Sequence, residues 1–393
     1  MRVCHLGKYY PPAYGGIETF VRALATAQSK MGMEVKVVCF QHEKSPTTNF
    51  LDGDVSVTRL GRTARFLDLD WCPDLLTALK SIEPDLIHVH VPNPVMILAL
   101  LALRLPGRIP IVVSYHADHV RQVVRGFFFR TVESLFYPRV NRIIANSDGY
   151  RAGSLLLQKY ASQVRVVPYG IELAPFRQPR GEEIRASVAI KQGHPGPLWL
   201  FSGRLVGYKG IIHAVRAMNT APGTLLIAGD GPERTRIESE ILRLGLTNKV
   251  KLVGSPASLI PYYRAASALW LTSISRAESF GIVQIEAMAS GCPVINTAIP
   301  GSGVSSVSLD GETGLTVPPG DPAALAAAAH RIAESPTLRE RFSLAAQTRA
   351  QRYFDMEKIL PQWLQIYADV IGGQIPVTSQ PAGEKKGVNA LSW

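Results

Sequence analysis

Two carboxylates, Glu278 and Glu286, stand eight residues apart in the stretch Glu278-Ser279-Phe280-Gly281-Ile282-Val283-Gln284-Ile285-Glu286. An apolar run ahead of them, Ala268 to Leu271, reads as a buried strand. Behind them, Gly281 to Ser290 has helical apolar spacing and stops at Gly291, with Pro293 just beyond. Glu278 is therefore expected in a loop at the carboxyl end of a strand, and Glu286 on the helix that follows. Unsatisfied backbone N–H groups at Phe280, Gly281 and Ile282 would open that helix and favour an anion such as a phosphate. An ionised carboxylate accepts from two sugar hydroxyls at once. The chemistry this pattern suits is a phosphate flanked by polyols, as in a nucleotide sugar. The plainer reading, a solvated helix glutamate and a chance spacing, is weighed against the elements around it.

Those elements alternate along nearly the whole chain. Candidate strands in the first half run Val3 to Leu6, Val35 to Phe40, Val55 to Leu60, Leu86 to Val89, Ile111 to Ser114, Arg142 to Asn146 and Val164 to Val167. Their β-branched, continuous apolar character suits a parallel sheet covered on both faces. A helix from Gly16 to Met31, ending before Gly32, joins the first two strands as a βαβ unit. A second series begins at Leu198 to Ser202 and continues through Leu225–Ala228, Val250–Val253, Ala268–Leu271, Val294–Asn296 and Leu315–Val317. The stretch 175–197, rich in Pro, Gly and charge, reads as a linker. The expected class is α/β: two doubly wound, Rossmann-like domains facing across a cleft, with ligands at the carboxyl ends of the strands. The boundaries are 1–174 and 198–354, with a final helix at 355–373, which Pro361 should start or kink, and a disordered tail at 374–393.

On that frame further polar residues fall at strand ends. Gly15-Gly16-Ile17-Glu18 opens the first helix, where two glycines let backbone N–H groups approach an anion. Arg204 follows the first strand of the second series, and Lys209-Gly210 starts its next helix. Two cations in one strand-end loop can clamp a pyrophosphate and stabilise it as a leaving group, as a divalent metal would. No Asp-x-Asp motif lies in a suitable loop, so no metal is expected. His116 and Asp118 follow the strand Ile111 to Ser114, where a histidine can hold a sugar hydroxyl or shape the reacting face. His5, His88 and His90 lie in or beside apolar strands and read as satisfied core residues.

Composition narrows the classes. The chain has 393 residues, 46% hydrophobic and 19% charged, which suits two well-packed domains. Four cysteines without metal-ligand spacing read as buried thiols of a reducing compartment. With no signal-peptide pattern and no apolar run long enough to span a bilayer, the reading is cytoplasmic. Net charge is +11, concentrated in His119 to Arg165, where Arg121, Arg125, Arg130, Arg139, Arg142, Arg151, Lys159 and Arg165 face only Glu133 and Asp148. Phe127, Phe128, Phe129, Phe136 and Tyr137 are interleaved. That mixture suits an anionic membrane surface at the inner face of the cytoplasmic membrane. A helix with inward phenylalanines and solvated arginines fits the pattern as well. Nucleic acid ranks last and is not expected as a partner, there being no recognisable binding module or stacking platform.

Together these residues resemble a family. The order Gly15-Gly16-Ile17-Glu18, Gly203-Arg204-Leu205, Lys209-Gly210, Glu278 to Glu286, Glu286-Ala287-Met288-Ala289-Ser290-Gly291-Cys292-Pro293-Val294-Ile295 and Asp310-Gly311-Glu312-Thr313-Gly314-Leu315 resembles the GT-B-fold retaining glycosyltransferases of family four. The resemblance covers nearly the whole chain. It implies a second domain holding the nucleotide sugar, a first domain holding the acceptor, and final helices crossing back to the first. It also implies that Arg204 and Lys209 bind the diphosphate, Glu286 the ribose and Glu278 the donor sugar. Phe280 and Gly281 would supply backbone groups near the phosphate, Gly16 would line its other side, and His116 would sit near the sugar's C6 end. Ser114-Tyr115-His116-Ala117-Asp118 and Tyr208-Lys209-Gly210 look like bacterial O-antigen mannosyl- and rhamnosyltransferases that use GDP-sugars. Tyr208 stands where the family more often has an acidic residue. A lipid-linked saccharide is the expected acceptor, and UDP-hexose use stays open. Among competing readings, a nicotinamide dehydrogenase needs a GxGxxG run, and Gly229-Asp230-Gly231-Pro232-Glu233-Arg234 lacks its third glycine. A UDP-sugar epimerase and a non-catalytic partner remain as alternatives.

Overall fold

A computed structural model describes residues 1–13, 15–66, 69–118 and 131–373. The chain divides into two units, one made of Met1–Gly170 with the segment from Met356 onward, the other of Ile171–Asp355. The first is built on an eight-stranded sheet. Its order from edge to edge is Val164–Val166, Arg142–Ala145, Ile111–Tyr115, Leu86–Val91, Arg2–Leu6, Glu34–Phe40, Val55–Leu60 and Thr48–Asp52. Every neighbouring pair is parallel except the last, where Thr48–Asp52 runs antiparallel to Val55–Leu60. The central strands Leu86–Val91 and Ile111–Tyr115 are buried at every residue, as a sheet covered on both faces requires.

Two elements of this unit were not expected from the sequence: the edge strand Thr48–Asp52 and the hairpin Ala64–Phe66 with Leu69–Trp71. The helix Gly16–Lys30 buries Phe20, Val21, Leu24, Ala25 and Gln28. It stops where Gly32 takes φ 81°, a left-handed residue whose N–H caps the Ser29 carbonyl. Helix Met356–Ile371 packs on it: the ring of Trp363 lies 5.8 Å from that of Phe20. Pro361 is inside this helix, neither its first residue nor its end.

The second unit is a six-stranded, all-parallel sheet ordered Val250–Gly254, Thr224–Ala228, Leu198–Ser202, Ala268–Trp270, Val294–Thr297 and Gly314–Val317. Trp199 and Trp270 stack at 5.4 Å in its core. The stretch read as a linker is corrected here. It carries the helix Gly181–Gly193, which packs on Ile260–Ala265, and its Glu183 accepts from Ser258 Oγ at 2.7 Å. Of the two closing helices, Pro336–Tyr353 stays with this unit and only Met356–Ile371 belongs to the first. The reading of 374–393 lies outside the described residues.

All four cysteines are buried and free, and burial pushes the Cys4, Cys39 and Cys292 thiols up to about 12. Among the described residues no helix is long and apolar enough to cross a membrane. Of the basic, aromatic segment, residues 119–130 lie outside the described residues. Phe136 and Tyr137, which follow, are wholly buried, so these two rings serve the core.

Candidate active site

The loop after strand Leu198–Ser202 is tied down by backbone hydrogen bonds and by the buried Leu205 side chain. Gly203 N–H donates to the Ala228 carbonyl at 3.0 Å, Leu205 N–H to Asp230 at 2.9 Å, and Glu233 N–H to Leu205 at 3.0 Å. Contact this close leaves no room for a side chain: a Cβ on Gly229 would stand 2.0 Å from the Gly203 carbonyl oxygen. The run Gly229-Asp230-Gly231, poor as a dinucleotide fingerprint, thus fastens the loop that carries Arg204. A 3-10 turn, Gly207–Lys209, follows, and Gly210 at φ 66° opens helix Ile211–Ala217. A Cβ on Gly210 would meet the Thr272 carbonyl oxygen at 2.2 Å, so glycine is needed for both conformation and space.

That contact joins the Lys209 turn to the end of the next strand. Thr272 Oγ1 donates to the Lys209 carbonyl at 2.8 Å. The Lys209 ammonium donates to the Glu278 carboxylate, and Ser273 Oγ donates to the same oxygen at 3.0 Å. Both side chains of the ion pair are largely buried, at 13% and 10% exposure. Burial alone would pull the Lys209 ammonium down, but the Glu278 charge and hydrogen bond outweigh it and hold it above its ordinary value. Arg204 is exposed, and its charge opposes the Lys209 ammonium.

Helix Ile282–Ala289 begins at Gly281, whose φ is 78°. The ring of Phe280 packs edge-on against Phe354 at 5.9 Å. Gln284, on the buried face, donates to the Phe280 and Val304 carbonyls and accepts from Asn296 Nδ2 at 2.9 Å, which fixes the helix start. Two residues beyond Gln284, Glu286 accepts from the Tyr263 hydroxyl at 2.7 Å. Burial raises the Glu286 carboxyl above its ordinary range, and the Tyr263 donation lowers it only in part. So a cation–carboxylate pair and a helix N-terminus are built on the carboxyl side of one parallel sheet, with a half-buried carboxylate on that helix. Such a set can neutralise a diphosphate and accept from sugar hydroxyls.

The first-unit residues are placed differently from expectation. The Glu18 carboxylate folds over Gly15, where a Cβ would lie 2.1 Å from Oε2. The first turn of helix Gly16–Lys30 therefore holds the chain's own carboxylate where a phosphate was expected. His116 is 2% exposed, and both its ring nitrogens are engaged, one by His90 at 3.0 Å and one by the Tyr169 hydroxyl. Asp118 Oδ1 accepts from the Tyr115 hydroxyl and from Ser154 Oγ, each at 2.8 Å. Both side chains turn into the unit's own polar interior. Tyr263, Ser273 and Tyr169 were missed in the sequence, because a lone hydroxyl carries no spacing signal. Gln28 had one: it is polar on a helix stripe that is otherwise apolar.

Two family models match the chain, Glycosyl transferases group 1 over residues 182–349 and Glycosyltransferase Family 4 over 14–174. The chain is 29% identical to the D-rhamnosyltransferase WbpZ of Pseudomonas aeruginosa over 90% of its own length and 92% of that protein's. It is 26% identical to the O-antigen chain mannosyltransferase C of Escherichia coli, covering 94% and 99% of the two chains. Among solved structures it resembles a sucrose-phosphate synthase from Thermosynechococcus elongatus, with TM-score 0.80, 27% identity, and 94% and 99% of the chains covered. Two parallel α/β units are common to the GT-B fold of these enzymes.

Proposed function

The chain belongs to the group 1 and family four glycosyltransferases, and from that premise we propose that it transfers a hexose from a GDP-sugar, GDP-mannose or GDP-rhamnose, to a lipid-linked saccharide in O-antigen or lipopolysaccharide assembly. The observation that carries the reading is the buried Lys209–Glu278 pair beside the helix opened by Gly281. The two relatives, one named for D-rhamnosyl transfer and one for O-antigen chain mannosyl transfer, support the choice of donor.

In this reading Arg204 and Lys209 neutralise the leaving diphosphate, with backbone N–H groups at Phe280, Gly281 and Ile282 beside it. Glu286 accepts from ribose hydroxyls and Glu278 from a donor-sugar hydroxyl. His116 and Asp118 shape the acceptor-side loop of the first unit. The configuration at the anomeric carbon is retained, the diphosphate oxygen taking the acceptor's proton on the same face. No side chain then has to act as nucleophile, and the two cations do the work of a metal. The acceptor is met at the inner face of the cytoplasmic membrane, where the basic composition of Arg121 to Arg165 favours anionic lipid.

The test is calorimetric titration with GDP-mannose, GDP-rhamnose, UDP-glucose and UDP-N-acetylglucosamine, with EDTA and then with added magnesium. Selective GDP-sugar binding in EDTA, lost in Glu286→Gln and Lys209→Ala proteins that still melt cooperatively, is the expected result. UDP-sugar binding alone would move the donor assignment. No binding to any nucleotide sugar would end the proposal.

A further inference from the structure

Four buried histidines of the first unit form one hydrogen-bonded array. His116 Nε2 faces His90 Nδ1 at 3.0 Å, and His90 Nε2 faces His5 Nδ1 at 3.0 Å. His5 Nε2 lies 2.7 Å from Gln28 Oε1. Gln28 Nε2 donates to the Tyr367 hydroxyl at 3.0 Å; that hydroxyl is 2.6 Å from His88 Nδ1, and His88 Nε2 is 2.8 Å from Ser114 Oγ. At the other end the Tyr169 hydroxyl meets His116 Nδ1 and accepts from Asn146 Nδ2 at 3.4 Å.

With the Gln28 amide oxygen on His5 and its nitrogen on Tyr367, donor and acceptor counting gives this array a single direction. An amide oxygen can only accept, so His5 must carry its proton on Nε2 and offer Nδ1 as acceptor. His90 must then donate from Nε2, and His116 likewise, leaving His116 Nδ1 to accept from Tyr169. On the other branch the Gln28 amide donates to Tyr367, whose own proton goes to His88 Nδ1. His88 then donates from Nε2 to Ser114. Each of the four rings gives one hydrogen bond and takes one, and all four are neutral Nε2–H tautomers. Burial favours that neutrality, holding every ring below its ordinary value. The nitrogens of His5, His88 and His90 lie close enough together, within 4.8 Å, to hold a metal ion. Each of those six nitrogens, however, already has a protein partner.

We infer that Gln28 and Tyr367 are positioning residues: their two hydrogen bonds set the tautomer of His116 through His5 and His90. Docking of helix Met356–Ile371, which brings Tyr367, is thereby read at the loop after strand Ile111–Tyr115. The kinetic part of this inference rests on the transferase reading; the tautomer part does not.

The experiment is long-range 1H–15N correlation of the histidine rings in the whole protein at pH 7.5, for wild type, Gln28→Leu and Tyr367→Phe. Expected are four Nε2–H tautomers in the wild type. In either variant His116 should shift to a mixture of tautomers, although neither substitution touches it. An Nδ1–H form at His5, His90 or His116 in the wild type overturns the inference, and this arm needs no variant to fold. So does an unchanged His116 in both folded variants. Stoichiometric Zn2+ that erases the His5, His88 and His90 signals would overturn it in favour of a metal site. In a turnover assay the folded variants should lose at least threefold in kcat with donor KM unchanged; an unchanged kcat removes the positioning role, and an inactive wild type instead indicts the transferase reading.

Discussion

Lys209 and Glu278 neutralise each other in a place mostly closed to water, so neither can be removed alone without stranding the other. Lys209→Ala is expected to lower stability by about 3 kcal/mol, the usual result of leaving one buried charge unpaired. The double variant Lys209→Ala/Glu278→Ala should recover part of that loss in urea unfolding; additive losses would show the pair to be uncoupled. Glu286 poses a different case. Glu286→Gln keeps an acceptor for the Tyr263 hydroxyl, whereas Glu286→Ala buries that hydroxyl with no partner, at about 1–3 kcal/mol. Stability should therefore fall in the alanine variant and hold in the glutamine one, while nucleotide binding weakens in both; equal melting of the two variants would contradict the hydrogen bond. At Gly210, alanine would add a Cβ against the Thr272 carbonyl at a positive φ. Gly210→Ala should be destabilised by more than about 1 kcal/mol in the same assay. Much of this site was legible beforehand, because cations and carboxylates at strand ends are visible as departures from apolar runs. The depth of Lys209 was not, since it depends on Thr272 and Ser273, whose contribution is made by backbone approach and two hydroxyls.

At the scale of elements, the histidine array gives the first unit a pH signature. Unfolded histidines take up protons near pH 6.5, while the native rings are depressed, His5 to about 4 and His116 to about 3. Below pH 6.5 the unfolded chain therefore binds more protons than the native one, and stability falls with falling pH. The slope is about 1.4 kcal/mol per pH unit for each histidine kept neutral, down to roughly the native values. Unfolding midpoints at pH 7.5, 6 and 5 should decline over this window; a flat profile would mean the rings protonate in place. The central parallel strands were readable in the sequence because they are apolar on both faces. Thr48–Asp52 was not: it is a mostly exposed edge strand with no apolar alternation. The helix Gly181–Gly193 escaped for a related reason, since the residues it buries are Glu183 and Ser187. Proline, glycine and charge around it matched a linker, and the polar contacts that hold it leave no periodic trace.

At the scale of the molecule, each unit can be followed by its own tryptophans: Trp199 and Trp270 lie in the core of the second and Trp363 in that of the first. A chain cut after Asp355 should keep the near-ultraviolet signal of the stacked pair while the first unit loses its cooperative transition, having lost Trp363 and Tyr367. Retention of both transitions would show that helix Met356–Ile371 adds little to the first unit. The same discontinuity bears on synthesis. Among the described residues, the ribosome completes all fourteen strands of the eight- and six-stranded sheets before it makes the helix that finishes the first. The second unit is one uninterrupted segment and can fold as soon as it emerges. The first must wait, partly assembled, while roughly two hundred further residues are added, about 10 to 40 s at ordinary elongation rates. During that interval the surface meant for Trp363 and Tyr367 is bare, and a nascent chain halted near Asp355 should be the form most readily held by chaperones.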